Sequence, residues 1–328
     1  MILTVTLNAA VDEAVAVDEF VHGGANRCTL DALDAGGKGL NTSRVIKRLG
    51  RTTIALGFVG GVTGAMVRAR LDEEGVLHAF DDVPGLTRLN VMIYERSSGR
   101  RSRLYLPGAT VTPDRIDNLK TRLAQAPAGG VVVLGGSLPP GLLDETYREL
   151  VGWLAQRNVR SIVDTSGKAL AAVLSAAPLL IKPNVEEAEE LLGRRIYNDD
   201  DAFAAAERLR ALGAINVVVS QGADGAVGVG PCGRWKAIAP HVTACSTVGS
   251  GDSMVAGLAV AFDEGGTLAE GLRLGTAAGA ATATIPGTHL CRPEDVETLL
   301  PHVVVRDYTP LEKPFGASPR STARVTSK

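Results

Sequence analysis

The residues most able to do chemistry lie in one short stretch, Gly249-Ser250-Gly251-Asp252, which is followed at once by an apolar, alanine-rich run. Two glycines one residue apart allow the backbone to turn sharply and to aim successive N–H groups at one point. The run behind them is typical of a buried helix. Because a glycine turn that opens a helix binds anions, the sequence predicts an anion site made by the amides of residues 249–251.

Asp252 is the unexpected member of this stretch, because a carboxylate beside an anion site would repel a phosphate unless it served a third group. A substrate hydroxyl is the natural candidate. If Asp252 takes the proton, the hydroxyl oxygen can attack a phosphoryl group whose developing charge is held by the neighbouring amides. The alternative is that Asp252 only caps a helix, and a short glycine pattern taken alone favours that simpler interpretation.

A second glycine cluster spans residues 36–39 (GGKG) and opens another predicted helix, whose apolar residues recur at core spacing. Its glycines would let the backbone approach a ligand closely, with Lys38 and Asn41 projecting toward that ligand. The cluster is not a Walker P-loop, because Ala32 stands where the first glycine should be and Gly39 replaces the required Ser or Thr.

The elements around these motifs predict an α/β fold. Short continuous apolar runs near 2–7, 52–59, 131–134, 161–164, 179–182 and 216–220 alternate with helical patterns. Such a rhythm indicates a mostly parallel sheet covered on both faces, hence a three-layer α/β/α sandwich. Segments of about 12–35 and 86–107 instead read as short strands of a small β-sheet lid. One domain over 1–308 and a disordered tail over 309–328 are expected.

Composition excludes several classes of protein. The 328 residues carry 34 basic and 36 acidic side chains, a net charge of -2 that gives no overall attraction for nucleic acid or for an anionic membrane. Four scattered cysteines form no C-x-x-C pair, which argues against a zinc site or a disulfide framework. No apolar run approaches the roughly 18 residues of a membrane span, and the N-terminus reads as a strand, so a cytoplasmic protein is expected.

Five ordered segments resemble the signature blocks of the ribokinase/PfkB carbohydrate kinases, and within that family the 1-phosphofructokinase and tagatose-6-phosphate kinase branch. The resemblance covers nearly the whole chain up to about residue 308. The matching segments are Asn8 with Asp12, residues 36–39 with Asn41, residues 135–141 (GGSLPPG), residues 182–187 (KPNVEE) and residues 247–253 (TVGSGDS).

The resemblance implies ATP-dependent phosphorylation of a sugar or sugar phosphate, with fructose 1-phosphate as the leading acceptor and fructose 1,6-bisphosphate as its product. Tagatose 6-phosphate, fructose 6-phosphate and an unphosphorylated sugar are the alternatives. It also implies site roles. Asp252 would be the general base, and Gly249, Ser250 and Gly251 the anion hole. Sugar hydroxyls would meet Asp12, Gly37, Asn41 and Ser137, and the acceptor's own phosphate would meet Lys38 and Arg88.

On the nucleotide side, the resemblance implies that Lys182, Ser220 and Gly222 bind ATP, while Asn184 and Glu187 organise Mg²⁺, largely through water. A monovalent cation is a further candidate cofactor. The lid resembles the β-sheet that pairs two subunits in this family, which implies a homodimer. Read alone, Glu187 would be an ordinary solvated helix charge, and Arg88 would pair within the lid as readily as with a phosphate.

The lid departs from the family's pattern. The segment Ser102-Arg103-Leu104-Tyr105 stands where relatives commonly carry Thr-Glu and then often Asn, and Arg100, Arg101 and Arg103 make the lid unusually basic. This could strengthen the binding of a phosphorylated acceptor or mark a different acceptor. A non-catalytic nucleotide or sugar-phosphate sensor is a second class of function, which the retained acid at Asp252 speaks against. A dinucleotide-dependent oxidoreductase is disfavoured because no G-x-G-x-x-G follows the first strand.

Overall fold

The computed structural model describes residues 1–308, and the tail predicted over 309–328 lies outside them. The strands are β1 (Ile2–Thr6), β2 (Ala10–Val17), β3 (Thr29–Gly36), β4 (Thr53–Val59), β5 (Leu77–Asp82), β6 (Arg88–Glu95), β7 (Arg101–Tyr105), β8 (Val131–Gly135), β9 (Arg160–Asp164), β10 (Leu180–Ile181), β11 (Asn216–Ser220), β12 (Ala226–Gly230), β13 (Gly233–Ile238) and β14 (Val304–Asp307). The helices are α1 (Lys38–Arg48), α2 (Gly61–Glu73), α3 (Arg115–Leu123), α4 (Thr146–Ala155), α5 (Gly167–Val173), α6 (Val185–Leu192), α7 (Asp199–Ala211), α8 (Ser250–Asp263), α9 (Leu268–Ala283) and α10 (Pro293–Leu299).

The larger sheet has ten strands in the order β14-β13-β12-β11-β10-β9-β8-β1-β4-β5. Every neighbouring pair from β5 to β11 is parallel, whereas β12, β13 and β14 add antiparallel strands at one edge. The mostly parallel sheet that the sequence predicts is therefore confirmed. Strand β14 was missed, although the apolar residues of 303–305 were a signal for it.

Alternating side chains of the central strands feed two separate apolar cores. Val132 and Leu134 of β8 point into the core shared with α3, α4, α5 and α7, while Val131 and Val133 point into the core shared with α1, α8, α9 and α10. Strands that are buried on both faces need continuous apolar sequence, which is what β8 carries. The predicted three-layer α/β/α sandwich is confirmed. No helix within residues 1–308 is long and apolar enough to cross a membrane.

The smaller sheet forms a lid of four strands in the order β3-β2-β6-β7, in which β2 and β6 are parallel and the outer pairs are antiparallel. Its inner edge packs through Val11 and Ala35 against Val67 and Leu71 of α2. Asp12 lies within β2 of the lid. The alternation of residues 10–17 already marked a separate strand after the polar turn at Asn8.

Candidate active site

The order of the central sheet reverses at β1, because the chain passes from β1 to β4 on one side and later returns to β8 on the other. Ligands of open α/β sheets bind in the crevice at such a point, beyond the carboxyl ends of the strands. Asp164 ends β9 at this edge, and Ser137 and Lys182 follow β8 and β10. The N-termini of α1, α6 and α8 reach the same region through the contacts described below.

The turn at 249–251 is the start of α8. Gly249 is the N-cap residue with φ of 78°, and a Cβ at this position would lie 2.5 Å from Leu290 Cδ2, so only glycine fits. The first-turn N–H groups of a helix have no acceptor within the helix, and they carry the positive end of its dipole. Ser250 N–H makes only a long turn bond to the Thr247 carbonyl at 3.4 Å. The turn can therefore bind an anion.

Asp252 lies inside the first turn of α8 and is only 8% exposed. Because Gly249 is the N-cap residue and Asp252 makes no cap, the interpretation of Asp252 as a helix cap is wrong. Asn41 Nδ2 of α1 donates a 2.8 Å hydrogen bond to Asp252 Oδ2. Burial, with help from the charge of Asp164, raises the pKa of the Asp252 carboxyl to about 6, although Lys38, Asn41 and Lys182 oppose the rise. A carboxyl of this pKa can accept a proton near neutral pH.

A cluster of lysines and acids lies beside this carboxyl. Lys38 Nζ is 2.9 Å from Asp164 Oδ1 and 3.5 Å from Glu187 Oε1, and Lys182 Nζ is 3.6 Å from the same Asp164 oxygen. Asp164 is 1% exposed and Lys182 is 4% exposed. Burial would raise the pKa of Asp164, but Lys182 and Lys38 outweigh burial and hold it below its ordinary value. Asp164 thus holds two ammonium groups together.

Lys38 and Lys182 both lie close to the anion turn of residues 249–251 at the start of α8. A Cβ built on Gly251 would be 3.4 Å from Lys182 Nζ, so Lys182 reaches the anion turn itself. Burial opposes the charge of Lys38, yet Asp164, Glu187 and Asp252 outweigh burial and raise the pKa of its ammonium. The structure thus directs Lys38 toward the anion turn and its acids. Its predicted contact with the acceptor's own phosphate stays a prediction.

Asp164 is the main residue that sequence reasoning missed. It ends a short apolar strand that neighbours β8, and a carboxylate at the carboxyl end of a parallel strand in an α/β sheet was a usable signal. Its second oxygen, Oδ2, is buried without a hydrogen-bond partner among residues 1–308. Unpaired buried oxygens are rare and indicate a ligand, an ion or a water at that position.

Asn184 and Glu187 form a capping box at the start of α6. The Asn184 side chain accepts a 2.7 Å bond from Glu187 N–H, and Glu187 Oε2 accepts a 2.9 Å bond from Asn184 N–H. Ser220, at the end of β11, bridges to Asn184, while Gly222 begins a short 3₁₀ turn. The Asn-x-x-Glu spacing therefore has a structural explanation of its own. The structure brings Asn184, Glu187 and Ser220 together, with Gly222 two residues further along the chain.

These acids suit a magnesium ion that keeps most of its water. Glu187 Oε1 and the unpartnered Asp164 Oδ2 are hard oxygen donors, and Mg²⁺ favours one or two carboxylates together with water and substrate phosphates. Residues 1–308 contain no group of three or more His, Cys, Asp or Glu placed to hold a metal. The donor set thus fits an ion bound together with a nucleotide.

On the lid side, Asp12 lies beside Arg88 and accepts a 2.7 Å hydrogen bond from Asn90 Nδ2. Burial raises the pKa of the Asp12 carboxyl, although Asn90 and Arg88 oppose the rise. Arg88 Nε is buried without a partner among the described residues. Burial lowers the pKa of the Arg88 guanidinium, and the nearby Asp12 does not fully offset this effect. A bound anion would stabilise the charged form of Arg88. Sequence reasoning missed Asn90.

The remaining predicted acceptor residues lie at separate points of the same edge. Gly37 is the N-cap residue of α1 with φ of 117°, and a Cβ there would lie 2.7 Å from Thr6 Cγ2. Ser137 Oγ accepts a 3.2 Å hydrogen bond from Asn8 Nδ2. Asn41 follows on α1 and contacts Asp252, as described above. No hydrogen bond within residues 1–308 joins Ser137 to Asp12 or to Arg88.

Comparison with known proteins agrees with this geometry. A model of the pfkB family of carbohydrate kinases matches residues 5–295. A 1-phosphofructokinase of Borreliella burgdorferi is 35% identical over 308 residues, which cover 94% of this chain and 99% of the relative. The ATP-dependent 6-phosphofructokinase isozyme 2 of Escherichia coli is 35% identical, over 91% of this chain and 97% of that protein.

A solved structure shows the same architecture. The phosphofructokinase-2 of Escherichia coli, in a crystal structure with potassium, superimposes with a TM-score of 0.87 at 35% sequence identity and covers 92% of this chain. The alignment spans 98% of that chain, so the sandwich and the lid are both shared. Since the family model and these relatives cover nearly all of the described chain, the protein belongs to the pfkB family of carbohydrate kinases and is a sugar kinase.

Proposed function

We propose that this kinase transfers the γ-phosphoryl group of ATP to a hydroxyl of a ketohexose phosphate, with Asp252 as the general base. The observation that carries the proposal is the buried Asp252 carboxyl, oriented by Asn41 at the mouth of an anion-binding turn. Its pKa of about 6 leaves it mostly ionised at neutral pH and still basic enough to accept a proton.

In the transfer step, the acceptor hydroxyl gives its proton to Asp252 as its oxygen bonds to the γ-phosphorus. The bond between that phosphorus and the bridging oxygen breaks, and ADP leaves with the electron pair. The amides of residues 249–251, with Lys38 and Lys182, stabilise the charge that develops on the transferred group. Asp164 holds the two lysines in position for this role.

The nucleotide side of the site would be formed by Lys182, Ser220 and Gly222. Magnesium would be held by Glu187 and Asp164 through water, and when bound it would neutralise charge on the ATP phosphates. Asn184 orients Glu187 through the capping box, which uses Glu187 Oε2 and leaves Oε1 beside Lys38. A monovalent cation is a further candidate, supported by the potassium complex of the Escherichia coli relative.

The acceptor's own phosphate would bind Arg88 from the lid. The buried, unpartnered Nε of Arg88 supports this assignment, because a dianion would supply the missing counter-charge. Tyr105 of β7 lies opposite Asn90 of β6, which lies opposite Asp12 of β2, so all three side chains share one face of the lid. Arg103 is two residues before Tyr105 on β7 and therefore lies on that face too. Two arginines would thus meet the phosphate while Asp12 orients a sugar hydroxyl.

Fructose 1-phosphate leads as the acceptor, supported by the 1-phosphofructokinase relative. Fructose 6-phosphate stays a direct competitor, because a 6-phosphofructokinase is equally similar at 35% identity. Tagatose 6-phosphate and unphosphorylated sugars follow.

The test is ADP release, measured by a coupled assay over fructose 1-phosphate, fructose 6-phosphate, tagatose 6-phosphate and fructose at equal concentrations. We expect the highest kcat/KM for fructose 1-phosphate and the lowest for fructose. Equal turnover of fructose would contradict the phosphate site at Arg88. ATP binding without turnover of any acceptor would instead favour the sensor function.

We also propose that two copies pair through their lids. Leu30 and Leu104, on the lid face opposite Asp12, are 60% and 53% exposed, and exposed apolar side chains on a sheet favour covering by a partner. Sedimentation velocity should give a dimer that Leu104→Glu dissociates. A monomeric parent protein would contradict this pairing.

A further inference from the structure

One arginine joins the lid to the loop that leads into the anion turn. Arg101 Nη2, from β7, donates a 2.6 Å hydrogen bond to the carbonyl oxygen of Cys245, which is 144 residues away in the chain. Arg101 alternates with Arg103 and Tyr105 on β7, so all three lie on the lid face that carries Asp12. The bond therefore spans from the acceptor side of the lid to the other wall of the cleft.

The loop of residues 245–249 is itself held by α9 and the segment after it. The N–H groups of Cys245 and Ser246 both donate to the Ala283 carbonyl, at 2.7 and 3.2 Å. Ser246 Oγ donates to the Gly287 carbonyl at 2.7 Å. The loop ends at Gly249, the N-cap residue of α8. The Arg101 bond thus restrains the loop at Cys245, four residues before the first of the anion-binding amides.

Arg96 and Arg100, near the same end of the lid as Arg101, make their contacts inside the lid. Arg100 pairs with Glu95 of the same hairpin at 2.8 Å. Arg96 pairs with Asp18 at 3.0 Å and donates to Thr29 Oγ1 at 2.8 Å. Arg101, by contrast, bonds to Cys245 outside the lid. Its guanidinium also lies 5.5 Å from the centre of the Tyr94 ring on the neighbouring strand.

We propose that Arg101 is a positioning residue, which fixes the 245–249 loop against the closed lid so that the amides of residues 249–251 are aligned only when the acceptor site is covered. This inference rests on the proposed kinase function and adds to it a residue outside the family's motifs. It gives a physical role to one part of the basic lid. Covering the acceptor also keeps water from taking its place in the transfer.

The test compares Arg101→Ala and Arg101→Lys with Arg96→Ala, which removes one positive charge from the lid without touching the loop. For Arg101→Ala we expect kcat to fall about five- to tenfold, as for the loss of a charged hydrogen bond at an exposed site, with the KM for ATP unchanged. ATP hydrolysis without acceptor should rise relative to transfer. Arg101→Lys should restore part of kcat, and Arg96→Ala should match the parent.

Hydrogen exchange of the amides of residues 245–249 provides a readout that needs no turnover. Faster exchange in Arg101→Ala than in Arg96→Ala is the expected result. Equal exchange in the two variants, or an unchanged kcat in Arg101→Ala, would overturn the proposal. If the loop loosens in Arg101→Ala but the parent protein turns over no sugar phosphate, the positioning role of Arg101 is supported. The proposed transfer to a ketohexose phosphate is then what fails.

Discussion

The two sheets of this protein contribute to the site in different ways. The groups around the anion turn are buried on elements of the large sheet: Asp252, Asp164 and Lys182 are 8%, 1% and 4% exposed. The groups that would choose the acceptor lie on the lid, where Asp12 and Arg88 are half-buried and Arg101 and Arg103 are exposed. Buried charges perturb one another strongly, whereas exposed ones are screened. In the proposed mechanism, the phosphoryl chemistry therefore belongs to the core and the choice of acceptor to the lid.

Among the variants that keep the Asp252 carboxyl, the largest effect is expected from Asp164→Asn. Without Asp164, Lys38 and Lys182 lose their shared partner, and kcat should fall by roughly two orders of magnitude, as for lost charge stabilisation in an active site. Because the charge of Asp164 raises the pKa of Asp252, the acid limb of the pH–rate profile should also move below the parent's value of about 6. Asp117→Asn, at an exposed acid paired with Lys120, is the matched control.

Lys38→Met should move the same limb in the opposite direction. Lys38 lowers the pKa of Asp252, so its removal should shift the acid limb above 6, while kcat falls by roughly one to two orders of magnitude. Profiles of kcat/KM between pH 5 and 9, with Lys120→Met as the control, would show it. Shifts of the same sign in both variants would refute the electrostatic coupling in the core.

Arg88→Gln tests the lid half of the comparison. The KM for a phosphorylated ketose should rise about tenfold with kcat little changed, because a ground-state contact to the acceptor's phosphate is lost. Turnover of fructose should be unaffected. Arg68→Gln removes an arginine that pairs with the exposed Asp82, and it should change neither constant. A drop in kcat alone would place Arg88 in the chemical step instead.

The smallest effect is on stability. Since the pKa of Asp252 is raised from 3.8 to about 6 in the folded protein, its ionised form destabilises the fold above pH 6, and this cost disappears as the pH falls toward 4. Asp252→Asn should therefore raise Tm by roughly 3–6 °C at pH 8 and by much less at pH 4.5. Calorimetric melts at the two pH values measure the difference. A lower Tm at pH 8 would show that the carboxylate stabilises the fold.

Sequence reasoning located the core well because apolar runs and glycine turns have local causes. The strand that ends at Asp164 and the helix after Gly249 could both be predicted from their own residues. What Asp164 does could not, since its role depends on Lys38 and Lys182, which lie 126 residues before it and 18 residues after it in the chain. A pairing between distant strand ends is set by topology and leaves no local pattern.

The lid was harder to predict for the opposite reason. Its strands are short and partly exposed, so their alternation marked a separate sheet without fixing which side chains meet. Asn90, the partner of Asp12, could not be predicted, because the parallel pairing of β2 with β6 joins segments 78 residues apart. The contact from Arg101 to a backbone carbonyl could not be read from the sequence at all.

The most direct test of the central claim is a comparison of the parent protein and Asp252→Asn in ATP binding and in transfer to fructose 1-phosphate. Titration calorimetry should give nearly equal affinities for ATP, because the base would contact the acceptor hydroxyl. The rate of ADP release should fall by about two to four orders of magnitude, as for the loss of a general base. A variant that transfers phosphate as fast as the parent would contradict the role of Asp252 and with it the proposed mechanism.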